Sequence, residues 1–384
     1  MITPRQLLVL DPTAFPGGSK VATENILRCV DSDLLQIIVL SADSHSWKWS
    51  GLKRTQLHEP AWLAQQEQGI AYFIRHFIIL LNILWLRLRF GHFDMALGAS
   101  GPGVDLALYL ARPLLNWKVV QLVHGPVACS RTIGRCLKQA DQVHYLPSSR
   151  SSLLQAIAAV MGTDNSLLAL ESRQFQPLHN GLPADAWPTP CQTSQPIVYW
   201  AASLLKWKGL DHLLGALSSI PPAQRPETHI CYIRPKDTRL PVSLGPIDLH
   251  NVQWHEQPAN LDAIRANANI FVSTSEAEPF GLSILEAMAA GHCILIPRDG
   301  AYWDQMLSDG HHCIKYHPGN ALDLRNKLQS VCRDRDQRNQ LGRSARKIAE
   351  TYRAEISYAN IAQVLQGESD HKTSLCEQVT PARG

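Results

Sequence analysis

Short apolar runs alternate with helix-length spacers along the chain, and they do so in two successive series. In the first, QLLVLD (6–11), LLQIIVLSAD (34–43), MALGAS (95–100), WKVVQLVHG (117–125) and QVHYLPS (142–148) are strand-like. The second comprises QPIVYWAAS (195–203), THICYIR (228–234), NVQWHE (251–256), NIFVSTS (269–275), CILIPRD (293–299) and CIKYHP (313–318). Continuous apolar strands with spacers long enough for crossover helices belong to parallel sheets covered on both faces. Each series therefore predicts a doubly wound α/β domain. Between them, HNGLPADAWPTPCQTSQP (179–196) is dense in Pro, Gly and Thr and has neither period. The expected organisation is a first domain over 1–180, a linker over 181–196 and a second domain over 197–350. A helix over 351–367 follows, with packing back on the first domain as one option, and then a loose tail over 368–384.

A length of 384 residues fits two domains, and 45% hydrophobic with 18% charged residues is the balance of a globular chain. A net charge of only +3 gives no reason to expect nucleic acid as a partner. The nine cysteines are scattered, several of them inside strand-like runs such as THICYI and HCILI, where a thiol acts as a small hydrophobe. MITPRQLLVLDP lacks the basic region and apolar segment of a secretory leader. A cytoplasmic location, with no disulfide framework, is the expectation.

One segment stands apart. AYFIRHFIILLNILWLRLRFGHF (71–93) is strongly apolar, yet its longest stretch without Asp, Glu, Lys or Arg is the eleven residues His76–Leu86. A bilayer span takes about 20 residues, so no single-helix crossing is expected. Arg75, His76, Arg87 and Arg89, interleaved with Phe73, Phe77, Trp85 and Phe90, leave two readings open. One is a peripheral helix lying on anionic lipid, and the other is a core helix of the first domain, since apolar residues fall on all sides.

The chemistry concentrates in EAEPFGLSILEAMAAG (276–291), directly after the strand-like NIFVSTS. A strand, a short loop and a helix opening near Gly281 would place the N–H groups of Phe280, Gly281 and Leu282 at a helix N-terminus. Unpaired donors and partial positive charge there favour a phosphate. Glu278 in the loop and Glu286 inside the helix would both face the crevice at the carboxyl end of the sheet, where carboxylates accept hydrogen bonds from sugar hydroxyls. Spacing alone favours the plainer reading, two glutamates complementing the helix dipole.

The stretch Glu278-Pro-Phe-Gly-Leu-Ser-Ile-Leu-Glu286-Ala-Met-Ala-Ala-Gly291 resembles the E-x7-E signature of retaining glycosyltransferase family 4, whose members have the GT-B fold of two Rossmann-like lobes across a cleft. The resemblance implies that Glu278 contacts the hydroxyls of a donor sugar, that Glu286 holds the ribose, and that the amides of Phe280, Gly281 and Leu282 meet the diphosphate. AASLLKWKGLDHLLGAL (201–217) is similar to the family's Gly-Arg followed by Lys-Gly, where both cations grip the diphosphate. Lys208-Gly209 is present, while Ser203 stands where the Arg would be, with Lys206 as a nearby substitute. FPGGSKVATENIL (15–27) resembles the family's first-lobe loop, which assigns Gly17 and Gly18 to close approach of a ligand and Lys20 to added charge. His124, ending the run QLVHG, falls where family members often carry a His near the donor sugar, and Asn180-Gly181 matches a turn at the start of the linker. Asp31-Ser32-Asp33 precedes a strand instead of following one, and His311-His312-Cys313 lacks zinc-type spacing, so neither reads as a metal site.

The resemblance thus implies a retaining hexosyltransferase with a nucleotide-sugar donor, a glycan or lipid-linked acceptor and no metal or other cofactor, serving bacterial polysaccharide or lipopolysaccharide synthesis. Catalysis falls to Glu278, Lys208 and His124, with Glu286, Phe280, Gly281, Leu282, Ser203, Gly17 and Gly18 binding the donor. Ser203 keeps open a catalytically weak, sugar-nucleotide-binding partner subunit, and the fold keeps open an epimerase or a phosphorylase-like enzyme.

Overall fold

The computed structural model describes residues 4–14, 17–235, 238 and 240–367, so the tail expected over 368–384 lies outside the described residues. Among the described residues, thirteen strands form two sheets in which every strand pairing is parallel. The first sheet holds β1 (Arg5–Asp11), β2 (Leu35–Ser41), β3 (Leu52–Gln56), β4 (Met95–Gly98), β5 (Lys118–Val123), β6 (Gln142–Tyr145) and β7 (Phe175–Pro177) in the order β3-β2-β1-β4-β5-β6-β7. The second holds β8 (Ile197–Ser203), β9 (Glu227–Ile233), β10 (Val252–Glu256), β11 (Ile270–Val272), β12 (Cys293–Pro297) and β13 (Ile314–Tyr316) in the order β10-β9-β8-β11-β12-β13. Both are doubly wound and Rossmann-like, the arrangement the resemblance implies. In each, the order reverses beside the first strand, between β1 and β4 or between β8 and β11, and a ligand crevice opens at such a reversal.

The alternation of a strand's side chains explains why these runs are apolar throughout. Leu8 and Leu10 of β1 enter one core with helix α2 (Gly69–Phe90) and helix α3 (Leu106–Leu115). Leu7 and Val9 enter the other with Ile26 and Leu27 of helix α1 (Gly18–Arg28). Two strands, β3 and β7, have no counterpart among the expected runs. Both are edge strands; LKRTQ is mostly exposed and FQP is only three residues long, so neither carries the apolar continuity of an interior strand.

The chain crosses between the sheets twice, side by side. Leu182 N–H donates to Tyr352 O at 3.0 Å, and Ala354 N–H donates back to Leu182 O at 2.9 Å. The helix Ala359–Gln366 then buries Ile361, Ala362 and Leu365 beside Leu7 and Val9 of the first lobe. Gly181 differs from its expected role as a turn: its φ is not positive, and a Cβ there would lie 2.9 Å from Ala354 Cα. Close packing of the returning chain, not turn geometry, is what requires glycine at that position.

Helix α2 needs two corrections. It runs for 22 residues and is long and apolar enough to cross a membrane by length and composition, whereas counting uncharged residues excluded a crossing. Its actual placement is on the first sheet, with Ile79, Ile83 and Leu86 in the core. Arg75 and His76 do not face outward with Arg87 and Arg89. Arg75 is buried, its Nε donating to Glu59 Oε2 at 2.8 Å, and His76 is buried against Tyr72. The opposite face is open: Ile70, Phe73, Phe77, Leu81, Trp85 and Leu88, spaced three or four apart, are all exposed.

Burial of histidine makes the fold acid-sensitive. Desolvation pushes His76 and His144 down to about 4 and, with Arg265 nearby, His292 down to about 3. The unfolded chain takes up these protons near pH 6.5 and the folded chain does not, so stability falls as pH drops from about 6.5 toward 4, by roughly 3 kcal/mol per histidine. Asp105, pushed up to about 8 by burial, works in the opposite direction over the same range but offsets only part of the three. Melting temperature is therefore expected to fall steeply below pH 6, as calorimetry across a pH series would register.

Candidate active site

Both glutamates lie around the reversal of the second sheet. After β11 the chain makes a loop pinned by Asp299, whose Oδ2 accepts from Ala277 N–H at 2.9 Å, and then enters the helix Leu282–Ala290. Gly281 caps that helix with φ of 80°, and no side chain caps it. Among the described residues the N–H groups of Phe280, Gly281, Leu282 and Ser283 have no hydrogen-bond partner, so four donors stand open at the positive end of the helix. Phe280 contributes only its backbone here. Its ring is buried against Tyr302, Trp303 and Tyr352 at centroid distances of 4.9, 5.2 and 6.0 Å and anchors the loop.

Lys208 reaches Glu278 from the neighbouring loop. Its Nζ donates to Glu278 Oε2 at 2.5 Å, with side chains only 17% and 14% exposed. The 3-10 turn Lys206–Lys208 that presents it is tied to the β11 loop at two points: Thr274 Oγ1 donates to Lys208 O at 2.9 Å, and Glu276 N–H donates to Trp207 O at 2.8 Å. Gly209 has φ of 70°, and a Cβ there would collide with the Thr274 carbonyl, so the turn and loop close on each other only through glycine. The Lys208 ammonium also lies 3.9 Å from the centre of the Trp207 ring.

Where the family's Arg would stand, Ser203 ends β8 and its hydroxyl makes no bond among the described residues. Lys206 does not substitute for it in this structure; its Nζ pairs with Asp211 at 2.6 Å and the side chain is mostly exposed. Lys208 is thus the cation that the β8 loop aims at the crevice. Glu286 pairs with the buried Arg265, Nη1 to Oε2 at 2.5 Å. Arg265 had no signal in the sequence beyond being one of two charges, with Asp262, in the short stretch LDAIRA, and Asp299 showed only as part of an Asp-Gly pair.

The first lobe faces this loop. An ideal Cβ on Gly18 would lie 3.9 Å from Leu282 Cδ1, so the start of α1 stands opposite the start of the helix Leu282–Ala290. Gly17 caps α1 in extended backbone. Lys20 corrects its expected role: it is 5% exposed, and its Nζ is consumed by Asp11 at 3.0 Å, Ser46 Oγ at 2.8 Å and Thr13 O at 3.1 Å. It supports the loop from below and adds no free charge. His124 is joined to α1 rather than to Glu278 or Lys208. Thr23 Oγ1 donates to Ser19 O at 2.9 Å, so in its 3.1 Å contact with His124 Nε2 it must accept. Nε2 therefore carries the proton, and burial holds the ring down to about 4, neutral near pH 7, with a bare lone pair at Nδ1.

Residues 184–348 match the family model described as glycosyl transferases group 1. The second lobe carries a group 1 glycosyltransferase domain. The group 1 match covers both glutamates, Lys208 and Arg265. Over 98 residues, 25% of this chain, the sequence is 34% identical to sulfoquinovosyl transferase SQD2 of Arabidopsis thaliana, and the match spans 19% of that protein. The whole fold is similar to Anabaena Alr3699/HepE, solved in complex with UDP-glucose, at a TM-score of 0.69 with 16% identity, covering 94% of this chain and 99% of that one. It is similar also to sucrose-phosphate synthase of Thermosynechococcus elongatus, at a TM-score of 0.71 with 14% identity, covering 94% and 98%. Likenesses at this identity establish the fold, GT-B, with the group 1 domain as its second lobe.

Proposed function

We propose that the chain is a retaining, metal-independent glycosyltransferase that moves a hexose from a nucleotide-diphosphate sugar to a hydroxyl of a glycan or lipid-linked acceptor, in bacterial polysaccharide or lipopolysaccharide synthesis. The observation that carries this reading is the Lys208–Glu278 pair beside the open amides of the helix Leu282–Ala290, with Gly18 of the other lobe directly across. Departure of the diphosphate is the costly step. As the bond from the anomeric carbon to phosphate oxygen breaks, charge grows on the phosphate, and preorganised amides with one ammonium are suited to take it. Lys208 would turn from Glu278 to the diphosphate, which frees the carboxylate to accept from the sugar hydroxyls. The acceptor oxygen then bonds the anomeric carbon on the face the diphosphate left, and its proton passes to the departing phosphate oxygen. His124, neutral and accepting at Nδ1, is suited to a sugar hydroxyl and not to proton donation. Closing the lobes around the donor would limit hydrolysis.

The test is turnover by the purified chain of UDP-, ADP- and GDP-hexoses with glycan and lipid-linked acceptors, with product anomers assigned by NMR. Retention of configuration and undiminished rate in EDTA are expected; inversion, or loss of rate restored by added divalent metal, would overturn those two assignments. One observation favours a second reading. With Ser203 at the Arg position and Lys206 spent on Asp211, the site has one cation where the family has two, which suits a subunit that binds sugar-nucleotide for another transferase. Donor binding without turnover would support it, and release of a free sugar product without acceptor would point to an epimerase.

The first lobe adds a place of work. The exposed apolar face of α2, flanked by Arg87 and Arg89 and free of Asp or Glu along the whole helix, suits peripheral contact with the anionic inner face of a cell membrane, where a lipid-linked acceptor resides.

A further inference from the structure

Glu286 is held on one side only. Its Oε2 takes the charge-assisted bond from Arg265 Nη1, while Oε1 has no partner among the described residues and the side chain is 24% exposed. Arg265, on the helix Leu261–Ala266, is 6% exposed and uses its other arm as well: Nη2 donates to Asp262 Oδ1 at 2.8 Å. Asp262 is itself anchored, accepting from the Thr189 hydroxyl at 2.6 Å and from the Thr189 N–H. The arginine backbone is fixed too, its carbonyl lying 3.0 Å from Nε2 of the buried His292. A rigid, planar guanidinium therefore joins a carboxylate tied to the linker with a carboxylate that borders the crevice.

This geometry removes the rotamer freedom of Glu286 before any ligand arrives. One oxygen is committed. The other keeps two lone pairs at a fixed position, which matches two neighbouring hydroxyl donors and cannot follow a ligand that lacks them. We infer that Arg265 is a positioning residue that locks Glu286 so that the site selects a nucleoside diphosphate bearing both pentose hydroxyls over one bearing neither. The inference rests on the transferase reading, in which Glu286 faces the pentose. An arginine that merely pinned two helices together would lower stability when removed and leave selectivity untouched.

The test is calorimetric titration of the full chain with UDP, ADP and GDP and with the 2′,3′-dideoxy form of each. Wild type is expected to prefer the ribose form of its best nucleotide by at least about tenfold, the scale of one lost polar contact in a fixed site. Arg265→Met should shrink that ratio to within about threefold, and Arg265→Lys, with its charge kept but its fork lost, should give a value between the two. If Arg265→Met fails to fold or to bind, the Arg265→Lys ratio decides alone. A preserved ratio in whichever variant decides overturns the positioning role, as does a wild type that binds a nucleotide without preferring ribose; the donor site would survive either result. A wild type that binds none of the six compounds would overturn the donor site and this inference together.

Discussion

Glu278→Gln is expected to reduce kcat by about 10²- to 10³-fold while leaving nucleoside diphosphate affinity within a few-fold of wild type, and Lys208→Met is expected to weaken both. The asymmetry follows from what each group would touch. In the proposed reaction Glu278 accepts from sugar hydroxyls and meets nothing in the nucleotide, whereas Lys208 turns to the diphosphate, which is present in donor and product alike. The two are also partners at 2.5 Å in a nearly dry setting. Removing either strands the other, so the effects of the single variants should not add, and a double-mutant cycle should return a coupling of about 1 kcal/mol or more. Titration calorimetry with UDP, ADP and GDP, together with steady-state rates, separates the roles. Nucleotide binding lost in Glu278→Gln but intact in Lys208→Met would reverse the assignment.

Breaking the outer face of α2 is expected to abolish vesicle binding without unfolding the lobe. Phe77, Leu81 and Leu88 are 57%, 49% and 86% exposed, so Phe77→Ser with Leu81→Asp and Leu88→Asp removes apolar surface that no core residue needs. Each half-exposed apolar side chain contributes roughly 1 kcal/mol on entering an interface, and each nearby arginine about 1 kcal/mol on an anionic surface. The triple variant should therefore lose about a hundredfold or more in partition onto phosphatidylglycerol-containing vesicles, and Arg87→Gln with Arg89→Gln about thirtyfold, that second loss fading as salt rises. Arg75→Gln should behave differently. Its charge is spent on buried Glu59, so it should lower the melting temperature and leave partitioning of the folded protein unchanged. Unaltered cosedimentation of the triple variant would sink the membrane reading, as would a dimer in ultracentrifugation that the variant dissociates, which would assign the face to a second copy of the chain.

The interior strands were legible because each runs apolar from end to end, and parallel strands covered on both faces must. The two edge strands of the first sheet escaped notice: β3 exposes Lys53 and Arg54, β7 is only three residues long, and an edge has no need of a second apolar face. At the site, Glu278, Glu286 and Lys208 announced themselves through a family pattern, yet their partners did not. Nothing in the spacing of residues 208 and 278 or of residues 265 and 286 says that they meet, because each pair joins different loops or helices at distances along the chain that carry no period. The added charge expected of Lys20, and the lipid-facing option left open for Arg75, fail for the same reason. Their counter-ions, Asp11 and Glu59, are supplied by other elements of the fold.

Local sequence determined which segments become interior strands, where the glycine-capped helix Leu282–Ala290 begins, and which residue types stand at the crevice, since period, capping and strand-end position are short-range properties. Only the tertiary structure decided which of those charges remain free for a ligand. Pairing is settled by through-space distance and by loss of water, so the same lysine or arginine is a structural tie when a buried carboxylate reaches it and a ligand-facing cation when it borders the cleft.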